Sequence, residues 1–244
     1  MSCSLVEVDV AVDLTVAFVL GAGRGVRMER AMNKMYLELA GVPMIVRSTS
    51  PFVEHPGVDE TYVVAAPQEV DRCAEVLASR GCDVDGVITG GASRHASEAA
   101  AVAFLGARIE AGEVGIVVIH DGARPLFRPE SLAPLLDAAR STGGAILALP
   151  LNDELVSVEG SEVTGRRTPG GLWRAQTPQA FEAAGISRAF QAAASRGFEG
   201  TDTASTAEHF GIPVAIVPGD PRNIKVTLPE DIAVAESLLK GSQS

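Results

Sequence analysis

Lysine is nearly missing from this chain: three in 244 residues, at positions 34, 225 and 240, against seventeen arginines. Cysteine is as scarce. Cys3, Cys73 and Cys82 are odd in number and lack metal-type spacing, which argues against a disulfide framework or a cysteine-bound metal. Reduced thiols and a cytoplasmic location are the expectation. No apolar run approaches the ~18 residues of a membrane span. The first fifteen residues lack a charged start and a signal-like core, and read as a short ragged extension. Positive charge is in deficit overall, with 20 Lys+Arg against 31 Asp+Glu, a net charge of −11 and a pI near 4.8. That balance argues against non-specific binding to nucleic acid or to an anionic membrane. Internal repeats and low-complexity segments are absent too.

What is present is an ordinary globular composition, 46% hydrophobic and 21% charged, in a length that suits one large domain or two small ones. We read residues 1–244 as one domain. Apolar runs at 16–20, 61–65, 87–89, 114–119 and 145–149 read as strands. Helices are expected at 43–52, 67–80, 97–109 and 129–141. The alternation predicts an α/β fold of Rossmann-like type, a mostly parallel sheet with helices on both faces, and a site beyond the carboxyl ends of the strands. The pattern fails between 150 and 171. There, 155–158 and 162–164 are expected to pair as a hairpin arm around 159–161. A helix to about residue 196, a helix at 204–210, strands at 213–217 and 224–226, and a last helix at 230–239 complete the expectation.

The chain is organised around Gly21-Ala22-Gly23-Arg24-Gly25-Val26-Arg27-Met28, which follows the first strand. Gly21, Gly23 and Gly25 lack Cβ atoms, so a ligand can approach the backbone closely, and a loop of this kind suits a polyphosphate. Arg24, Arg27, Arg30 and Lys34 place four cations in eleven positions, where an even spread would give about one. A dinucleotide fingerprint would need a glycine at Val26, and the Gly-Lys-Ser/Thr phosphate loop is absent. Three strand ends carry unusual residues: this loop, Gly90-Gly91 and His120-Asp121. Asp121, at a strand's carboxyl end near a triphosphate, is a candidate Mg²⁺ ligand. Taken singly, Ser97 reads as a helix N-cap and His120 as structural. Lys34 and Lys225 offer compact charges suited to phosphate oxygens.

Together these residues resemble the 2-C-methyl-D-erythritol 4-phosphate cytidylyltransferase family, over about residues 16–239. The family's A-A-G-x-G-x-R-M loop with a later P-K is met by Gly21 to Met28 and Asn33-Lys34. Its G-G-x-x-R-x-x-S is met by Gly90 to Ser97. H-D-A-A-R-P is met by His120 to Pro125, with Gly122 for one alanine. G-L-W-x-A-x-T-P-Q is met by Gly171 to Gln179. T-D-D-A-S is met by Thr201 to Ser205, with Thr203 for an aspartate. N-I-K-V-T and P-E-D are met by Asn223 to Thr227 and Pro229 to Asp231.

The resemblance implies transfer of CMP from CTP to a sugar-alcohol phosphate with release of pyrophosphate. It assigns Arg27, Lys34 and Lys225 to catalysis. Gly21, Ala22, Gly23, Gly25, Gly91 and Ser97 would hold the nucleotide, and Asp121 and Thr177 the acceptor. It also implies Mg²⁺ and a homodimer whose arm, residues 150–171, reaches the neighbouring site. Departures fall on the arm. Glu154 stands where the family has threonine, and Pro169 where it has arginine; Arg166 or Arg167 could take over the acceptor's phosphate. Two alternatives stay open: the same chemistry on another polyol phosphate, and a nucleotide-binding paralogue without turnover.

Overall fold

The computed structural model describes residues 13–23, 33–168 and 170–241. The opening apolar run forms β1 (Leu14–Leu20), and Val16 to Val19 are at most 1% exposed. A strand covered on both faces has no room for polar alternation, which is why its sequence reads as an unbroken apolar run. A small two-stranded ribbon follows, β2 (Glu38–Leu39) and β3 (Val42–Pro43). Then come α1 (Met44–Val53), β4 (Glu60–Ala65), α2 (Val70–Ser79), β5 (Gly86–Thr89), α3 (Arg94–Phe104), α4 (Gly106–Glu110), β6 (Val114–Asp121), α5 (Leu132–Thr142) and β7 (Gly144–Pro150). The arm is β8 (Leu155–Glu159) and β9 (Glu162–Arg167). The chain returns through β10 (Trp173–Glu182), α6 (Ala183–Arg196), α7 (Thr203–His209), β11 (Ala215–Pro218) and α8 (Pro229–Lys240).

The seven-stranded sheet runs β11-β7-β10-β6-β1-β4-β5. All its pairings are parallel except those of β10, which is antiparallel to both β6 and β7. Helices α1, α2 and α5 pack on one face around Phe52, Leu77 and Leu135. Helices α3, α4, α6 and α7 pack on the other around Phe18, Leu105 and Phe190. Helix α8 closes a third cluster with Leu39, Met44 and Val226.

Three expectations are corrected. The stretch 173–182 reads in sequence only as a lead-in to a helix; it is the ten-residue strand β10, inserted at the middle of the sheet. Its Gln-Thr-Pro-Gln centre hides the strand, because the register shifts between Ala175 and Gln179 and frees those residues from the ladder. Residues 224–226 are not a strand. Only Val226 N–H finds a backbone partner in the β6 connection, Ala123 O at 2.8 Å, while side chains take the neighbouring carbonyls. The helix expected at 97–109 starts earlier and breaks at Leu105, giving α3 and α4.

The arm leaves the molecule between β7 and β10, which pair up to Pro150 opposite Trp173. Its two strands pair with each other and with nothing else described, and nearly every residue is exposed.

Candidate functional site

The carboxyl ends of β1, β4, β5 and β6 open on a cavity of about 570 Å³. The turns that leave them are stitched to neighbouring strands: Gly21 N–H donates to Val64 O at 2.8 Å, Gly90 N–H to Ala65 O at 2.7 Å, and Gly122 N–H to Leu20 O at 3.0 Å. Ala22, Gly23, Gly91 and Ser97 line the cavity, with Lys34, Asp121 and Lys225. A Cβ on Gly91 would run into the Cβ and backbone of Ala96, so glycine here is a requirement of the fold. Gly23 differs: no described atom lies within 4 Å of where its Cβ would stand. Arg27 and Gly25 lie outside the described residues.

Lys34 sits in a short 3₁₀ turn (Lys34–Tyr36) capped by Asn33, whose side chain accepts from Met35 N–H at 3.1 Å and donates to Glu69 at 2.5 Å. From there the Lys34 ammonium donates to Val226 O at 2.9 Å, next to Lys225. Two lysines far apart in sequence therefore face one cavity.

Asp121, 6% exposed, is the electrostatic centre. Its Oδ1 accepts from Arg94 Nε at 3.1 Å and Nη2 at 3.0 Å. Its Oδ2 lies 2.7 Å from Lys225 Nζ and 3.9 Å from Arg124 Nε. Burial by itself would raise this carboxyl's pKa. The attraction of Arg94 and then Lys225 outweighs burial and holds it well below the usual carboxylate range.

Thr177 stands one layer behind. Its Oγ1 accepts from Asp121 N–H at 2.9 Å and lies 3.1 Å from His120 Nδ1. The other ring nitrogen, Nε2, lies 3.2 Å from Arg124 O. A carbonyl can only accept, so Nε2 carries the proton and Nδ1 accepts from the threonine hydroxyl. His120 is fully buried, which pushes its pKa down to about 3, and it is neutral. It is a structural histidine, as the sequence suggested. Asn223 Nδ2 donates to Thr177 O at 2.8 Å, and Arg124 Nη1 to Asn223 O at 2.7 Å, tying the Lys225 segment to the end of β6.

Ser97 is not the N-cap of α3. Ser93 is, accepting from Ala96 N–H at 3.1 Å. Ser97, one turn inside the helix, accepts from Gly91 N–H at 3.1 Å and donates to Ser93 O at 2.9 Å, which fixes the glycine turn. The local pattern offered two serines four residues apart, and only the helix start decides between them.

The two arm residues expected at the site, Glu154 and Arg167, do not join this cavity within one chain. Glu154 pairs with Arg166 at 3.0 Å, both largely exposed. The negative charge that departs from the family pattern is therefore answered by a local cation.

Sequence reasoning assigned no role to Arg94, Arg124 or Glu98. Arg94 and Arg124 lie inside motifs that stand out for other residues. Glu98 carries no motif, and an Arg-x-x-x-Glu spacing on a helix ordinarily marks a solvated pair; here the glutamate is buried, with Arg94 Nη1 at 2.6 Å from Glu98 Oε1. Among the described residues, no group of three or more His, Cys, Asp or Glu is placed to hold a metal, and no helix is long and apolar enough to cross a membrane.

Comparison with known proteins agrees with this fold. The family model for 2-C-methyl-D-erythritol 4-phosphate cytidylyltransferase (IspD) matches residues 15–241. The enzyme of that name from Geobacillus kaustophilus is 42% identical over 224 residues, which is 91% of this chain and 96% of that one. The Geotalea uraniireducens protein is 39% identical, over 93% and 97%. A crystal structure of 4-diphosphocytidyl-2C-methyl-D-erythritol synthase superposes with a TM-score of 0.77 at 30% identity, covering 93% of this chain and 98% of that one. The Thermus thermophilus cytidylyltransferase gives 0.70 at 28%, over 91% and 98%. With the fold, the ordered motifs and these relatives in agreement, the chain belongs to the 2-C-methyl-D-erythritol 4-phosphate cytidylyltransferase family.

Proposed function

We propose that this chain transfers the cytidylyl group of CTP to 2-C-methyl-D-erythritol 4-phosphate and releases pyrophosphate. One observation carries the reading: an ionised, buried Asp121 bridged to Lys225 and Arg94 shares its cavity with Lys34 and two glycine turns. In the reaction a phosphate oxygen of the acceptor attacks the α-phosphorus of CTP in line. The new P–O bond forms as the bond to the β-phosphate oxygen breaks, and pyrophosphate leaves. Charge builds on phosphoryl oxygens, and fixed cations answer it. Lys34, Lys225 and Arg27 are assigned to that task. Gly21, Ala22 and Gly23 hold the triphosphate. Gly91 and Ser97 take the cytosine and ribose. Asp121 and Thr177 serve the acceptor side, Thr177 by fixing the backbone of Asp121.

Mg²⁺ belongs to this reading as an ion held chiefly by the polyphosphate, since Asp121 already faces three cations. The ion binds through one or two carboxylates and completes its shell with phosphates and water. Asp121 is one such carboxylate, kept ionised, and Lys225 Nζ is the group it would exchange. When bound, the ion would neutralise charge on the polyphosphate.

The arm supports a homodimer. Leu155, Val156, Val158, Val163 and the neighbouring Trp173 are between 38% and 57% exposed, apolar side chains left bare on the arm and at its base. A second copy would cover them and bring Glu154, Arg166 and Arg167 toward the other copy's acceptor site. A cytoplasmic location is consistent with Cys73 and Cys82, both free and buried, the Cys73 thiol pushed up to about 12 by burial.

The test is pyrophosphate release from CTP with a panel of polyol phosphates, before and after chelation of divalent ions. Release with methylerythritol phosphate, lost on chelation and restored by Mg²⁺, is expected. Release with a different acceptor only would move the substrate, and CTP binding without turnover would remove the activity.

A further inference from the structure

We infer that Glu98 is a positioning residue. It holds one end of the Arg94 guanidinium so that the other end stays on Asp121 Oδ1, and it supplies from α3 the carboxylate that the family motif carries at position 203.

Arg94 is held at both ends. Nε and Nη2 converge on Asp121 Oδ1, while Nη1 donates to Thr201 O at 3.2 Å and forms an ion pair with Glu98 Oε1 at 2.6 Å. A planar guanidinium bound to a single oxygen can pivot about it; a second anion on the far edge fixes the plane. Glu98 is itself fixed. It is 0% exposed, and Thr203 Oγ1 donates to its Oε1 at 2.9 Å. An aspartate at 203 would set two carboxylates within hydrogen-bond distance. The threonine at 203 and the buried glutamate are therefore one arrangement, in which the negative charge has moved to the neighbouring helix.

The fold gains little from a charge here. Glu98 Oε2 is buried without a hydrogen-bond partner, and the three residues that follow it in α3 are alanine. A buried carboxylate with an unpaired oxygen costs stability. Its retention beside the cavity is explained by what it does to Arg94. With Oδ1 committed to Arg94, Oδ2 is the oxygen of Asp121 left to exchange partners. Its present partner, Lys225, is 43% exposed along its side chain.

The charged groups that act on Glu98 are Arg94 on its own helix, Asp121 at the end of β6 and Asp202 before α7. Burial raises its pKa to about 7, against the pull of Arg94. Glu98→Gln at pH 8 therefore removes a charge whose burial opposes folding.

The experiment compares the full chain with Glu98→Gln, Glu98→Ala and the double variant Glu98→Ala/Thr203→Asp. This inference rests on the cytidylyl-transfer reading, so the wild type must first release pyrophosphate with methylerythritol phosphate. Expected is a kcat about 10-fold or more below wild type in Glu98→Gln, with the CTP KM within about 3-fold and a Tm at pH 8 equal to or above wild type. The double variant is expected to recover most of the turnover that Glu98→Ala loses. Wild-type kcat in Glu98→Gln, or equal rates in the single alanine and double variants, would overturn the inference. If the wild type is inactive, the functional reading fails, and a crystal structure of Glu98→Gln judges this one separately. Arg94 displaced from Asp121 supports it; Arg94 unmoved refutes it.

Discussion

A carboxylate that is 6% exposed stays ionised only if its charge is answered, and Asp121 is answered by Arg94, Lys225 and Arg124. Replacing it with asparagine would leave three cations facing one another. Breaking a buried pair from one side costs about 3–5 kcal/mol, and the exposure of Lys225 places the expected loss for Asp121→Asn at or below the lower end. Urea unfolding measures that loss, and pyrophosphate release should fall with it. Lys34 reaches a backbone carbonyl across the cavity. Its hydrogen bond to Val226 O is worth about 1 kcal/mol net. Lys34→Ala should lose about 10²-fold or more in turnover, the usual cost of removing a cation or donor aimed at transition-state charge. Wild-type turnover in that variant would remove Lys34 from the chemistry.

At the scale of elements, the cavity is made where β1, β4, β5 and β6 end and where β5 meets α3. A Cβ at Gly91 would strike the backbone of Ala96 in the first turn of α3. Gly91→Ala should shift that turn, lower stability by about 1–3 kcal/mol and raise the CTP dissociation constant in a calorimetric titration. The arm makes a prediction of its own. Val158 and Val163 are 51% and 57% exposed and lie at partner positions across the hairpin. If a second copy covers them, Val158→Glu should shift the molecule to monomer in light scattering and reduce turnover with methylerythritol phosphate, leaving CTP binding unchanged. A wild-type chain that is already monomeric would refute the covered arm.

For the whole molecule, two buried groups pull stability in opposite directions with pH. His120 has a folded pKa near 3 against an ordinary 6.5, so the unfolded chain binds a proton that the folded one refuses. Its contribution is present above about pH 6.5 and is lost as pH falls toward 3, by up to about 1.4 kcal/mol per unit. Glu98 has a folded pKa near 7 against 4.5, so the folded chain holds the extra proton. Its contribution is present below pH 4.5 and is lost as pH rises through 7. Urea unfolding of Glu98→Gln and wild type between pH 4.5 and 8 should show the variant gaining on the wild type up to about pH 7, then running level with the same offset. A constant difference across that range would mean burial does not raise the Glu98 pKa.

The order of amino acids was enough to mark the glycine pairs, the two lysines that face one cavity, the aspartate at a strand end and the alternation that lays strands in parallel. Each is local, since an apolar run or a glycine pair announces itself within a few residues. Which groups meet was settled by folding. Strand β10 was hidden because its polar centre answers to neighbours rather than to local pattern: Thr177 bonds Asp121, 56 positions away. Residues 223–226 have strand-like composition but commit their backbone groups to Arg124, Lys34 and Ala123. Glu98 and Thr203, 105 positions apart, acquire meaning only as a pair. A carboxylate's charge is written in the chain, but whether that charge is solvated, paired or buried depends on groups that folding alone brings within about 3 Å.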